Sequence, residues 1–155
     1  MFLYQARLYD QAIEQCQQVI ELDPTSFTIY HWLGAAYAQK GLYDQAVAAN
    51  LKDGTYGRFS AETEESLRAA YAVSGWRGYL QKVLDLKKKQ AKFMPLPFAA
   101  MCAQLGEKDQ AIGWLEKAYD ERKPGLLILK IEPEFDGLCS DPRFKDLLRR
   151  IGFKS

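Results

Sequence analysis

The residues able to do chemistry are few and widely scattered. His31 is the only histidine, and a catalytic base there needs a nucleophile in reach and a carboxylate to orient it. No local motif supplies either, so it reads as a polar groove residue. Cys16, Cys102 and Cys139 are an odd number at wide spacing, which fits neither a disulfide framework nor the paired spacing of a zinc site. Cys16 and Cys102 fall on apolar helix positions, where a free thiol packs as a small apolar group. Cys139 falls in a turn; a reactive thiol there would need a cation or helix N-terminus beside it, which the following helix offers, but an incidental thiol is the better reading. Glu62 and Glu65 would serve as acid and base only if a pocket separated their pKa values, and a helix start already explains them by its dipole. The run Lys87-Lys88-Lys89 with Lys92 closes a helix, where cations complement that dipole. Arg143, Lys145, Arg149 and Arg150 read likewise as a solvated face. Gly54 and Gly57 lack the Lys-Ser/Thr and the preceding strand of a phosphate loop. The expectation is a chain that is not an enzyme, with no catalytic residue, no cofactor and no metal.

Composition narrows the partners. With 155 residues, 48% hydrophobic and 26% charged, the chain has the makeup of an ordinary globular protein. A net charge of +1 gives no field to draw nucleic acid or an anionic membrane, so neither is expected as a partner. No apolar run approaches the roughly 18 residues of a membrane span, and the first residues lack a secretory leader. Reduced cysteines point to a cytoplasmic home.

The elements that must position these residues come from a repeat. Leu8-Tyr9-Asp10-Gln11-Ala12 returns letter for letter as Leu42-Tyr43-Asp44-Gln45-Ala46, an offset of 34, and Asp109-Gln110-Ala111 is a partial third copy. Residues 9–22, 27–39 and 43–52 show helical apolar spacing. Pro24 ends the first of these helices, Thr25 or Ser26 is expected to cap the second, and Gly41 closes it. Leu33, Tyr37 and Gly41 plus 34 give Leu67, Tyr71 and Gly75, which predicts helices over 61–74 and 76–89 with Ser60 as N-cap. Two more helices hold Phe98, Ala99 and Cys102, then Ala111, Leu115 and Ala118. Asn50, standing where a large apolar residue belongs, predicts loose packing, and turn residues predict a frayed connection at 53–59. Leu80 stands where a small residue is expected. The apolar run 125–131 is open to strand or short helix by periodicity, and the helical surroundings favour helix. Residues 132–138 read as an ordered turn and 142–151 as a last helix with Pro at its first position.

At Tyr30-x2-Leu33-Gly34-x2-Tyr37, with Ala46 after and Pro24 before, the sequence resembles the tetratricopeptide repeat (TPR). The resemblance implies an all-α fold, a right-handed superhelix of antiparallel helix pairs. About four repeats are expected in a single domain over 1–155, the first incomplete at the N-terminus and 124–155 forming a divergent C-terminal cap. Residues 107–119 and 141–153 further resemble the C-terminal TPR region of bacterial multidomain regulators, which carry winged-helix or kinase domains.

In such repeats the first helix of each pair lines the concave face. Register then assigns a peptide-binding groove to Tyr4, Thr28, His31, Ala35, Gln39, Glu62, Glu65, Ala69, Val73, Leu96, Ala100 and Gln104, with Phe93 also on that face. Glu62 and Ser66 occupy places where some relatives hold carboxylate-clamping cations, so a basic segment is favoured over a C-terminal carboxylate. The expected function is a protein-protein interaction module with a protein or peptide partner. The alternatives are a regulatory or assembly segment of a larger protein, acting by self-association, and an enzyme. Homodimerisation through the apolar N-terminal end is expected because Met1 to Tyr4 cover helix 9–22 incompletely.

Overall fold

The structure, a computed structural model, describes residues 1–53, 59–88 and 95–153. Residues 54–58 of the expected frayed connection, and Lys89, Lys92 and Phe93, lie outside the described residues. The fold is all-α, a TPR-like set of helix pairs, with no strand among the described residues. The helices are α1 (Phe2–Gln5), α2 (Tyr9–Leu22), α3 (Phe27–Gln39), α4 (Tyr43–Lys52), α5 (Ala61–Lys88), α6 (Pro95–Gln104), α7 (Lys108–Asp120) and α8 (Pro142–Ile151). They fall into two compact units, Met1–Tyr79 and Leu80–Ser155.

Helix ends explain why the repeat has its register. After α1, α3, α6, α7 and α8 the chain turns through a residue of positive φ: Arg7, Gly41, Gly106, Arg122 and Gly152. At each end that residue donates to a carbonyl three back, and the next residue donates to one five back. The bonds Gly41 N to Ala38 O at 3.0 Å and Leu42 N to Tyr37 O at 2.9 Å show the pattern. This is the Schellman closure, and it satisfies carbonyls that the helix leaves unpaired. Leu8 and Leu42, which open the repeated motif, thus also close the preceding helix. Helix α5 is broken in the same register: Ser74 and Gly75 leave helical geometry, with Gly75 at φ 59°. The two helices expected over 61–74 and 76–89 are the two arms of α5.

In the first unit, Ala12, Cys16, Tyr30, Leu33, Ala36 and Ala49 are buried where α2, α3 and α4 meet. Gly34 is required there, because a Cβ on it would stand 2.0 Å from Asn50 Oδ1. Asn50 is hydrogen-bonded to the buried Tyr79 hydroxyl, and burial pushes that phenol well above its usual range. The loose packing expected around Asn50 is therefore corrected: its amide fills the space beside Gly34 and satisfies Tyr79. The small residue missing at Leu80 is likewise found two positions earlier, since a Cβ on Gly78 would stand 2.7 Å from the Ala70 carbonyl oxygen. Tyr43, Trp76 and Tyr79 stack in series with centroids 5.3 Å apart at each step. Neither Thr25 nor Ser26 caps α3 through its side chain. Instead the Asp23 carboxylate accepts from Thr25 N at 3.0 Å and from the Thr25 hydroxyl at 2.6 Å, because Asp23 at φ −140° is extended before Pro24. Ser60 does cap α5, accepting from Thr63 N at 3.2 Å.

In the second unit, α6 and α7 pair around Phe98, Ala99, Cys102, Ala111, Leu115 and Ala118. The run after Pro124 is helical as expected but forms a 3-10 helix (Pro124–Ile128), and the expected turn at 132–138 contains a second (Pro133–Leu138). Pro133 keeps the first of these from running on as an α-helix, because it has no N–H to give and pushes Glu132 out of helical geometry. Burial alternates unevenly here: Leu126 and Leu129 are buried while Leu127, Ile128 and Ile131 are exposed. Helix α8 begins 34 residues after α7 begins, and ion pairs link residues at that same offset. Arg143 Nη1 meets Asp109 at 2.8 Å, and Arg150 grips Glu116 with two bonds of 2.9 Å. Helix α8 therefore occupies the second-helix place of a further repeat, and the two 3-10 turns stand in for its first helix. The second of these turns packs on α6, the first helix of the preceding pair.

Candidate peptide-binding face

On α3, Thr28 is exposed and His31, Ala35 and Gln39 are half-buried. His31 is not isolated: its Nδ1 lies 3.1 Å from Asp53 Oδ2, and its ring meets the Trp32 edge with centroids 5.1 Å apart. Asp53 ends α4, so the pair ties the middle of one helix to the end of its neighbour. The carboxylate that orients His31 stands 22 residues away in a stretch that reads as a turn, which is why no local motif announces it. Nearby, Lys52 Nζ lies 5.5 Å above the Tyr30 ring.

Tyr4 is corrected from groove to core. It is 1% exposed, and its ring packs between Tyr9 and Trp32 with both centroids at 5.8 Å. Its hydroxyl accepts from Gln39 Nε2 at 3.5 Å. A short α1 followed by a tight Schellman turn folds Tyr4 back onto α2 and α3, and a large aromatic there is worth more buried than wet.

The first arm of α5 presents Glu62, Glu65, Ala69 and Val73, all exposed, at spacings of three, four and four. That spacing places them on one side of the helix, while Leu67 on the other side is fully buried. Val73 is 85% exposed. The acidic groups sit in the first turns, where the dipole favours them. In the second unit, Leu96 and Ala100 on α6 are half-buried and Gln104 is exposed. Leu96 is already engaged by its own chain: a Cβ on Gly125 would stand 2.5 Å from its Cδ1.

The repeated Asp of the motif has a role that the sequence does not disclose. Asp10 meets Lys40, Asp44 accepts from the Tyr71 hydroxyl at 2.7 Å, and Asp109 accepts from Arg143. Each bond joins a second helix to a residue 27 to 34 positions later. These contacts are exposed and individually weak, and they fix alignment more than stability.

The thiols divide as expected. Cys16 and Cys102 are buried, and burial raises both pKa values. Cys139 is exposed, and its Sγ lies 3.8 Å from the Phe135 carbonyl oxygen. Among the described residues no group of three His, Cys, Asp or Glu is placed to hold a metal, and no helix is long and apolar enough to cross a membrane.

A family model, described as TPR repeat, matches residues 3–41, which run from α1 through α3 to the Gly41 turn. Over those residues the chain is similar to the TPR family. No curated protein and no solved structure is matched. TPRs in general are non-catalytic and mediate protein-protein interaction.

Proposed function

We propose that this chain is a non-catalytic binding module that takes an extended or helical protein segment on the exposed side of its first helices. The observation that carries this reading is the α5 stripe, where Glu62 and Glu65 stand before Ala69 and a Val73 left 85% exposed. Small residues let a partner backbone approach, an open apolar side chain supplies contact area, and two carboxylates select a basic flank. Thr28, His31, Ala35 and Gln39 offer a second, more polar stretch on α3. The purified chain should bind basic and apolar peptides on an array of graded Lys/Arg content. Ala69→Arg should weaken that binding by about tenfold or more through bulk and like charge, with an unchanged melting temperature. An array on which basic peptides are not preferred, or on which Ala69→Arg binds as the wild type does, refutes the reading.

A second reading is self-association through the α2–α3 hairpin. It is favoured by Leu22, which ends α2 with 88% of its surface exposed.

A further inference from the structure

Leu22 stands between Glu21 and Asp23, both exposed. The corner that carries it is held in shape: Asp23 takes two bonds from Thr25, and its carbonyl accepts from Ser26 N at 3.2 Å. A large apolar side chain between two carboxylates, on a corner already ordered, loses little freedom on docking.

The second unit has a receptor of matching chemistry. A cavity of about 530 Å³ is lined by Tyr119, Arg122, Lys123, Leu126, Leu127 and Arg150. Leucines and the tyrosine ring form apolar walls, and Leu127 among them is exposed. The cations at its rim are not equivalent. Lys123 is bridged to Glu121 at 3.1 Å, and Arg150 is held by Glu116 and lies 4.4 Å over the Tyr119 ring. The Arg122 side chain has no such partner among the described residues, and it stands at φ 53°, where α3, α6 and α8 are closed by glycine. The acidic Asp120 also lines the cavity, so Arg122 rather than a general positive field must supply selectivity. Overall charge runs the same way. The first unit has six Lys/Arg against nine Asp/Glu, a formal −3, and the second has fifteen against eleven, a formal +4.

We propose that the Glu21-Leu22-Asp23 corner of one copy docks in this cavity of a second copy, with Leu22 against Leu126, Leu127 and Tyr119 and Glu21 toward Arg122. This rests on the self-association reading and names its counter-surface. The contact joins two different surfaces, and each copy carries one of each. It therefore closes, as a reciprocal pair or a larger ring, or continues head to tail.

Sedimentation velocity on the full chain tests it, over about 1 to 200 µM at low salt. Wild-type mass should rise with concentration, and Leu22→Asp and Leu127→Asp should each stay monomeric. An equimolar mixture of those two variants should form a 1:1 dimer, since each keeps one intact surface. Arg122→Glu should weaken assembly about tenfold or more, and adding Glu21→Arg should restore it. If Leu127→Asp assembles like wild type while Leu22→Asp does not, the cavity is refuted and the self-association reading stands. A wild type that stays monomeric throughout refutes both. All these positions are exposed at the surface, so unchanged far-ultraviolet circular dichroism should accompany every variant.

Discussion

Replacing Gly34 by Ala should destabilise the chain, although Ala is the better helix former. Gly34 lies inside α3 at ordinary helical geometry, and helix propensity alone predicts a gain of about 1 kcal/mol. Against this, the new Cβ would stand 2.0 Å from Asn50 Oδ1 and 2.9 Å from its Cγ, whereas the Ala46 carbonyl at 3.4 Å is tolerable. The Asn50 amide is the group able to move, and moving it breaks its bond to Tyr79, whose side chain is only 2% exposed. A buried hydroxyl left unpaired costs about 1–3 kcal/mol. The net is a loss of about 1 kcal/mol, or roughly 2–4 °C in melting temperature for a chain of this size. The sign should reverse once Asn50 is removed. In an Asn50→Ala background the clash is gone and Tyr79 is already unpaired, so Gly34→Ala should then stabilise by about 1 kcal/mol. Urea unfolding followed by circular dichroism on the four members of this cycle reads the coupling directly. Equal effects of Gly34→Ala in both backgrounds would refute the assignment of Asn50 as the group that makes glycine necessary.

Two further outcomes follow from the titrating groups. Asp141 caps α8, accepting from Arg143 N at 2.9 Å and pairing with its guanidinium at 2.8 Å, and these bonds hold its carboxyl down to about 2. A depressed pKa gives stability that is present above the unfolded value near 4 and lost as pH falls toward 2. Acid titration of wild type should therefore show a loss of stability between about pH 4 and pH 2 that is smaller in Asp141→Asn, which still caps but does not titrate. An identical acid profile in the variant would overturn the assignment. Thiol labelling at neutral pH should modify Cys139 in the native chain and reach Cys16 and Cys102 only on unfolding, because burial keeps those thiols protonated and covered. Rapid native labelling of all three, counted by mass spectrometry, would contradict the packing.

How much is legible in the sequence depends on the range of the interaction. The 34-residue offset places α2, α3, α4 and both arms of α5 within a residue or two, since apolar periodicity and helix-closing residues act over a few positions. Cys16 and Cys102 are legible as core for the same reason, each lying on the apolar stripe of its helix. Asn50 is not, because its partners, Gly34 and Tyr79, lie 16 and 29 residues away, and no local pattern distinguishes a defect from a satisfied amide. Register misplaces Tyr4 because it gives the side of a helix, whereas α1 is one turn long and is oriented by what it packs on. The face assigned from register is partly visible: Thr28, Glu62, Glu65, Ala69, Val73 and Gln104 are exposed, and Leu96 is engaged by its own chain against Gly125.

The sequence by itself determined that this is a chain of helix pairs with a 34-residue period, because helix formation and closure are local and the repeated residues carry both. Only the tertiary structure decided what the repeated Asp does, which carboxylate holds His31, and that two 3-10 turns take the place of a helix before α8. It alone showed Leu22 bare beside its two carboxylates and Arg122, without a partner among the described residues, at the rim of a cavity. Those features depend on side chains brought together across many residues of sequence, or left uncovered by everything else, and neither condition is written in a local pattern.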